Sequence, residues 1–480
     1  MKFGLLGLLL VVSSARADRF EERNVQLYPR QCTINDAWPT GPGIALQPQQ
    51  VSSQLRSMLN QVSTSNIESI IQKLVSFGTR HTASSQTDPV RGIGAARDWI
   101  ASQMRGFAAN AFKGSNVTVS LPSYIQAPVA GLFVNATPIT DVALRIEGTS
   151  KTNRIYVVTG HYDSRVTSIL NNVDDAPGAD DDASGVAVIM ELARIFSQHM
   201  QPPPSATMIF AAVAGEEQGL LGSDHLAQVL QDEGADVQGM FTNDIVGSSK
   251  ADNGVRDPNS IRLFAQGVPT FASASVQSTL EQIGGENDSP ARELGRFVHE
   301  VATNTFTDMK VRVVYRLDRF LRGGDHEPFL QRGYPAARFT EPHENFAHQH
   351  QDVRVDPTTG EQFGDLIEFC DFDFINRVAK VNGVAIFSLA SAPGTPKNAT
   401  IDNSVLTNNS TLTWVVDDDP NIAGYEVLWR ETIQPFWENV IPVGLDSKVT
   451  VEESKDNVVF GIRAVGKNGF RSPAALPLPD

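Results

Sequence analysis

The chain of 480 residues carries 39 Lys and Arg against 55 Asp and Glu, a formal net charge of −16, with 41% hydrophobic and 20% charged residues. This length predicts two or more domains, and the composition is that of a globular rather than a disordered protein. The acidic balance argues against a nucleic-acid-binding protein, because phosphate binding needs a basic face.

Residues 1–17 have the pattern of a secretory signal peptide. Lys2 supplies a positive start, residues 5–12 form a short apolar core, and Ala15-Arg16-Ala17 is a small-x-small cleavage site. The apolar core is too short to cross a membrane, and no later stretch reaches about 18 apolar residues. We therefore predict a secreted, extracellular protein without a membrane span. N-linked glycans are expected at the sequons of Asn116, Asn135, Asn398, Asn408 and Asn409.

Residues 18–50 are polar and irregular, and they are predicted to be an N-terminal arm or a pro-segment. Cys32 lies in this segment, and the second of the two cysteines is Cys370. In an oxidising compartment the two could form one disulfide, but the sequence does not show that they meet. Two cysteines are too few for a disulfide scaffold or a thiolate zinc site.

Strands and helices alternate over residues 51–392. Continuous apolar runs at 155–159 and 206–214 indicate buried strands, and the segment between them, 184–200, has apolar residues at helical spacing. The pattern also predicts helices at 51–77, 92–107, 220–230 and 365–389, and strands at 116–122, 131–136, 142–147, 240–243, 261–265, 311–315 and 336–339. This alternation predicts an α/β domain with a mostly parallel sheet and helices on both faces.

The pattern changes after the Pro- and Gly-containing linker at 391–397. Short strands separated by turns are predicted at 411–416, 425–429, 448–451 and 458–465, without a helix signal. Residues 393–480 are therefore expected to form a small all-β sandwich. The order Trp414, Tyr425, FGIRAVGKNGFRSP resembles a fibronectin type III module, which implies a spacer or adhesion unit without catalytic residues.

Histidine and carboxylate side chains stand at the ends of the predicted strands. Parallel sheets present ligand sites at the carboxyl ends of their strands, so these side chains are expected to converge. Adjacent carboxylates repel one another, and a loop that holds three of them favours a cation. Each cluster alone also fits a solvated loop or a helix cap, whereas the combination favours a metal site. The residues are His161 and Asp163, Asp180 to Asp182, Glu216 and Glu217, and Asp244.

A site of this kind needs one more histidine, and the segment 341–352 offers three. His343, His348 and His350 are close enough in sequence to compete for the position. Zinc sites that combine histidine with carboxylate ligands and leave room for water are catalytic rather than structural. Of two neighbouring glutamates, one can bind the metal while the other acts as general base on a water.

The combined motifs resemble the co-catalytic di-zinc aminopeptidase family, which includes bacterial leucyl aminopeptidases and fungal aminopeptidase Y. The motifs are His161-x-Asp163, GADDDASG, GEE-x-GLLGS, Asp244 and His348-x3-Asp352, within residues 50–390. The resemblance implies two zinc ions per chain, one bound by His161 and Asp244, the other by Glu217 and His348, with Asp181 bridging them. It implies that Glu216 is the general base, that Asp163 orients His161, and that the Asp181–Asp182 peptide is cis. His326 would shape the pocket, and the role of His81 is open.

These expectations describe a secreted zinc exopeptidase acting on peptides or proteins, with aminopeptidase as the preferred activity. A carboxypeptidase on the same fold would need a basic clamp, for which Arg319, Arg322, Arg332 and Arg338 are available. A glutaminyl-cyclase-like acyltransferase would use one zinc ion. From a different class, the chain could be a non-catalytic adhesion protein that binds through its C-terminal module. The sequence does not indicate the oligomeric state.

Overall fold

The computed structural model describes residues 41–150 and 152–480, and the predicted signal peptide, Cys32 and most of the N-terminal arm lie outside them. The helices are α1 Ser53–Leu59, α2 Thr64–Val75, α3 Ile93–Ala109, α4 Ala183–His199, α5 Leu221–Asp232, α6 Ala274–Gln282, α7 Pro290–Ala302, α8 Glu327–Gln331 and α9 Phe372–Ser391. The strands are β1 Ile44–Ala45, β2 Val117–Ser120, β3 Ser123–Gln126, β4 Thr137–Thr140, β5 Val142–Ile146, β6 Arg154–His161, β7 Thr207–Val213, β8 Asp236–Asn243, β9 Ser260–Ala265, β10 Lys310–Val314, β11 Ala336–Thr340, β12 Arg354–Val355, β13 Gln362–Phe363, β14 Lys397–Ile401, β15 Ser410–Val415, β16 Ile422–Glu431, β17 Asn439–Gly444, β18 Lys448–Val451, β19 Val458–Gly466 and β20 Leu478–Pro479.

An eight-stranded mixed sheet forms the centre of the α/β region, in the order β10-β9-β11-β8-β6-β7-β5-β2. Its middle strands β11, β8, β6 and β7 are parallel to one another. The junctions β11–β9, β5–β7 and β2–β5 are antiparallel. The carboxyl ends of the four middle strands therefore lie at the same edge of the sheet, as the sequence predicts.

Helices cover both faces of this sheet, and its central strands β6, β7, β8 and β11 are buried over nearly their whole length. Along β6, Tyr156 and Val158 pack into one core with residues of α2, α3, α4, α7 and α9. The alternate residues Ile155 and Val157 pack into a second core with residues of α5 and α8. A strand buried on both sides reads as a continuous apolar run, which is why β6 and β7 are predictable from sequence.

The C-terminal region is built from two four-stranded sheets, β1-β17-β16-β19 and β18-β15-β14-β20. Leu412, Trp414, Tyr425, Val427 and Ile462 contribute to a core of its own. Residues near the start of the described chain complete this region: β1 pairs with β17, and Trp429 Nε1 donates to the carbonyl of Pro42 at 2.8 Å. The segment just before residue 51 thus packs with the C-terminal sheets.

Helix α7 connects the two regions through buried charges. Arg430 of β16 lies 2.7 Å from Asp288, which precedes α7, and Arg463 of β19 lies 3.1 Å from Glu300 of α7. Trp437 Nε1 donates to Glu293 at 2.8 Å, and the ring of His299 stacks on Phe436 with centroids 4.0 Å apart.

Two predicted elements are wrong. Residues 131–136 form no strand, apart from one bridge between Val129 and Phe133, and the hairpin partners are β3 and β4 on either side. The helix at 51–77 is two helices, α1 and α2, because Ser63 caps a new start by accepting from the amide of Asn66. Within the described residues, no helix is long and apolar enough to cross a bilayer.

Candidate metal centre

The candidate site lies where the parallel strands end. His161 is the last residue of β6 and Asp163 follows it, Glu216 and Glu217 follow β7, and Asp244 follows β8. The residues directly before these turns are fully buried strand residues, so the backbone that carries each polar side chain is fixed by the core. The sheet thus brings together side chains that are more than 80 residues apart in sequence.

The acidic loop before α4 contributes Asp181. Asp182 caps α4 by accepting from the amide of Gly185, and it also accepts from the amide of His161 at 2.9 Å. The amides of Asp180 and Asp181 donate to the carboxylate of Asp365 at 2.8 and 2.7 Å. The peptide between Asp181 and Asp182 is cis, as the family resemblance implies.

Two groups of potential metal ligands share Asp181. In the first, His161 Nε2 lies 3.1 Å from Asp181 Oδ1 and 3.8 Å from Asp244 Oδ1. In the second, His350 Nε2 lies 2.9 Å from Asp181 Oδ2 and 3.1 Å from Glu217 Oε1. Within each group all three ligand atoms lie within 4.8 Å of one another. Asp181 presents one oxygen to each group, which is the geometry of a bridging carboxylate.

The structure brings His350 to Asp181 and Glu217, and not His348, which was the predicted ligand. The His348 ring stacks flat on Phe369, with centroids 3.5 Å apart and an interplanar angle of 6°. His350 adopts a left-handed backbone with φ 51°, which turns its side chain toward Asp181 and Glu217. The third alternative, His343, is exposed.

Asp163 contacts both His161 and the backbone of the two glutamates. Its carboxylate faces His161 Nδ1 at 3.5 Å and accepts from the amides of Glu216 and Glu217, both at 3.2 Å. One carboxylate therefore positions a potential ligand and the candidate base together, beyond its predicted role of orienting His161. Thr82 Oγ1 donates to Asp163 Oδ2 at 3.1 Å.

The two other histidines named from the sequence have structural contacts. His81 accepts from the amide of Ala83 at Nδ1 and donates from Nε2 to the carbonyl of Ile169 at 2.8 Å. His326 Nε2 lies 2.9 Å from the carbonyl of Leu317, in the interior. His81 thus holds the loop that follows Asp163, and neither ring belongs to the two ligand groups.

Burial and neighbouring charges shift the pKa values of the side chains at this site. Burial raises the pKa of Glu216 well above its usual value, and the charges of Asp244, Asp325 and Glu217 raise it further, against the opposing effect of His161. Burial also raises the pKa of Asp244, but Arg338 and His161 outweigh it and lower that pKa to about 2. Burial lowers the pKa of His350, whereas Glu217 and Asp181 raise it to about 10. The carboxylates thus stabilise positively charged groups at this site.

The donor set fits zinc. Each group offers one imidazole nitrogen and two carboxylate oxygens, which are ligands that catalytic zinc sites use, with a position left for water. His161 Nε2 and Glu217 Oε1 are buried, and within the described part of the chain neither makes a hydrogen bond of good geometry, although each lies 3.1 Å from another atom of its ligand group. Unsatisfied buried polar atoms are costly, and a bound cation would satisfy both.

Two arginines lie at this site: Arg338, which the sequence analysis named only as a clamp candidate, and Arg165, which it did not name. Arg338 is fully buried, and its Nη2 lies 2.8 Å from Asp244 Oδ1, so it pairs with a potential ligand. Arg165 lies two residues after Asp163 and contacts both Glu217 and His350. The one local signal for Arg165 was a basic residue two positions after the His-x-Asp motif.

The arginines considered for a carboxylate clamp are already paired. Arg319 and Arg322 contact Glu344, Arg332 contacts Asp224, and Arg338 contacts Asp244 and Asp318. A buried arginine that neutralises two aspartates is not free to bind a substrate carboxylate. These contacts therefore do not support a carboxypeptidase clamp formed by these four arginines.

Comparisons with known proteins identify the family. The model of peptidase family M28 matches residues 141–368. A "Probable zinc metalloprotease" of Pyrenophora teres f. teres is 54% identical over 448 residues, 93% of this chain and 91% of that protein. A protein of the same name from Pyricularia oryzae is 50% identical over 469 residues, 94% of this chain and 92% of that protein. The LapA aminopeptidase of Legionella pneumophila, a solved structure, superposes with a TM-score of 0.49 at 17% identity, covering 74% of this chain and 78% of that chain. The predicted enzyme class is thereby confirmed: this chain belongs to peptidase family M28 and is a zinc metallopeptidase.

Proposed function

We propose that this zinc metallopeptidase is an aminopeptidase that binds two zinc ions. The observation that carries the proposal is Asp181, whose two oxygens face two separate groups of ligand atoms. His161 and Asp244 would hold one ion, Glu217 and His350 the other, and Asp181 both. When bound, zinc polarises the scissile carbonyl as a Lewis acid and makes water a better nucleophile.

Glu216 is the residue proposed to move the proton. Its backbone amide donates to Asp163 Oδ1 at 3.2 Å, which fixes its position, and burial raises the pKa of its carboxyl group, which makes the carboxylate a stronger base. Water adds to the carbonyl carbon and gives one proton to the Glu216 carboxylate. The C–N bond then breaks, and Glu216 delivers that proton to the leaving amine.

The acidic surroundings favour a substrate with a positive end. The charges of Asp244 and Asp325 raise the pKa of Glu216, and burial raises the pKa of Asp325 to about 7. Carboxylates at this density favour the protonated amino terminus of a peptide over its carboxyl terminus. Together with the paired state of the four clamp arginines, this supports an aminopeptidase over a carboxypeptidase.

Metal content and turnover test the proposal together. Purified protein should contain two zinc ions per chain by elemental analysis and should hydrolyse amino-acid p-nitroanilides until a chelator is added. N-blocked peptides should not be cleaved. The Asp181→Ala variant should lose most of both ions, because each group loses one oxygen. One zinc ion per chain with cyclisation of N-terminal glutamine would contradict the proposal and indicate a glutaminyl cyclase instead.

We further propose that the enzyme is secreted and that its C-terminal region, 393–480, is a fibronectin type III-like module. The two facing four-stranded sheets and the packing of Trp414 on Tyr425, with centroids 5.5 Å apart, support the second point. The signal-peptide pattern and the five sequons support the first. Expression in a fungal host should place the protein in the medium, and treatment with an endoglycosidase should reduce its mass.

A further inference from the structure

Asp365 binds the backbone of the acidic loop that carries Asp181. Its two carboxylate oxygens accept from the amides of Asp180 and Asp181, at 2.8 and 2.7 Å. Its main-chain carbonyl accepts from the amide of Ala179 at 3.3 Å. The side chain of Asp365 is buried and belongs to neither ligand group. One residue therefore fixes three consecutive amides, up to and including that of the potential bridging ligand.

Arg80 holds the start of the same loop. Its guanidinium is fully buried and donates to the carbonyls of Pro177 and Gly178, at 2.5 and 2.8 Å. Its Nε donates to the carbonyl of Tyr162 at 2.7 Å, directly after the end of β6. A guanidinium can hold several carbonyls at once because its donors lie in fixed directions. The start of the loop is thus anchored to the central sheet independently of Asp365.

The side chains of the three adjacent aspartates in this loop have different partners. Those of Asp180 and Asp182 accept from backbone amides, so they stabilise the local fold. Asp181 places one oxygen 3.1 Å from His161 Nε2 and the other 2.9 Å from His350 Nε2. Of the three carboxylates, the middle one therefore faces both ligand groups.

The position of the Asp181 carboxylate depends on the backbone of the loop. Because its two oxygens face different groups, a displacement of the loop changes the distances in both groups at once. Removing a group that orients a metal ligand typically lowers the affinity for the metal about 10- to 100-fold. Arg80 fixes the start of the loop, whereas Asp365 fixes the amide of Asp181 itself.

We propose that Asp365 is a positioning residue that holds the carboxylate of Asp181 between the two ligand groups. Asp365 acts through the backbone of the loop and is not itself a ligand. This role rests on the proposed binding of two zinc ions and adds to it the residue that keeps the shared ligand in place.

Asp365→Asn removes one of the two acceptor oxygens and changes the shape of the side chain little. The NH2 group that replaces the oxygen would face a backbone N–H, and two donors cannot hydrogen-bond to each other. In a competition titration with a chromophoric chelator, the affinity for both zinc ions should fall about 10- to 100-fold, because each group takes one oxygen from Asp181. Since the contacts of Arg80 remain, the variant should keep the circular dichroism spectrum of the wild type.

Asp365→Ala removes both acceptors, so its two zinc affinities should be lower than those of Asp365→Asn. Alanine affinities equal to or higher than those of the asparagine variant would contradict the role of the two oxygens. Asp365→Asn by itself decides the proposal where the alanine variant does not fold.

Asp371→Asn is the matched control. Asp371 lies in the segment that follows Asp365, and its carboxylate accepts from the amide of Phe374 at 3.0 Å, where α9 begins. It belongs to neither ligand group. The change removes the same charge and disturbs a helix cap, so urea unfolding should show a loss of stability while both zinc affinities stay at the wild-type values. An equal fall in zinc affinity in this variant would show that affinity follows overall stability and would overturn the positioning role.

The titration separates this role from the proposed function. A wild type that binds one zinc ion per chain would overturn the two-zinc proposal itself. Two ions in the wild type, with affinities that are unchanged in Asp365→Asn or reduced for one ion only, would overturn the role of Asp365 alone.

Discussion

Two regions of the molecule bury many charged side chains: the metal centre, and the interface between helix α7 and the C-terminal sheets. They differ in the balance between positive and negative charge. At the interface, four arginines pair with four carboxylates: the arginines are Arg296, Arg430, Arg463 and Arg471, and the carboxylates are those of Asp288, Glu293, Glu300 and Glu426. At the metal centre, carboxylates outnumber cations: Asp163, Asp181, Glu216, Glu217 and Asp244 surround His161 and His350, with Arg338 and Arg165 at the sides. A balanced cluster holds two parts of a protein together, whereas an excess of one sign indicates a site for a missing ion.

The largest effect is expected from Glu216→Gln, which removes a charge from the unbalanced cluster without removing a ligand. kcat should fall about 10²- to 10⁴-fold, the usual contribution of a general base, because the amide cannot accept the proton. Zinc content by elemental analysis should stay at the wild-type value, since Glu216 belongs to neither ligand group. Near-normal turnover would show that another residue is the base.

Asp288→Asn tests the balanced cluster. Asp288 is buried and accepts from Arg296 and Arg430, both at 2.7 Å, so the variant leaves two buried arginines short of a countercharge. Urea unfolding should show a loss of about 3–5 kcal/mol, as for other broken buried ion pairs, while zinc content stays unchanged.

Glu300→Gln serves as the matched control for Asp288. Its partner is also an arginine, Arg463 at 3.1 Å, but its side chain is 12% exposed and water can replace part of the contact. The loss should be smaller than for Asp288→Asn. Equal losses, or loss of zinc in either variant, would mean that the two regions are not energetically separate.

A third prediction concerns the segment before residue 51, which supports the interface side of the molecule. Leu46 donates to the carbonyl of Glu438 at 2.7 Å, Pro42 accepts from Trp429, and Gln49 accepts from the amide of Arg471 at 3.0 Å. At about 1 kcal/mol for each hydrogen bond, a chain that begins at residue 51 should unfold at lower urea, by about 2–3 kcal/mol, than one that begins at residue 41. Equal midpoints would show that residues 41–50 add nothing to the C-terminal sheets.

The contrast between the regions also explains what could be predicted from sequence. The strands β6 and β7 are apolar on both faces, and the residues that follow them were identified because strand ends converge in a parallel sheet. Helix α7 was missed although Ser289, Pro290 and the apolar residues Leu294, Val298 and Val301 give a start signal and a helical stripe. Its charged residues resemble a solvated surface, and only the packing of the C-terminal sheets shows that they are buried.

The error at His348 has a different origin. His348 and His350 are two residues apart, and the side chain that reaches Asp181 depends on the left-handed turn at His350. A non-glycine residue in that conformation has no dependable sequence signal. Arg165 was missed because its partners lie 52 and 185 residues away, which a single sequence does not reveal.

The smallest effect is expected at Thr82, which lies behind the metal centre and carries no charge. Its hydroxyl donates to Asp163 Oδ2 at 3.1 Å, and Asp163 in turn accepts from the amides of Glu216 and Glu217. Thr82→Val should lower kcat about 3- to 10-fold, because loss of one hydrogen bond leaves the carboxylate less firmly oriented. Thr82→Ser keeps the hydroxyl and should restore kcat, while KM and zinc content stay the same in both variants. A loss of kcat in the serine variant equal to that in the valine variant would mean that the methyl group, through packing, matters rather than the hydrogen bond to Asp163.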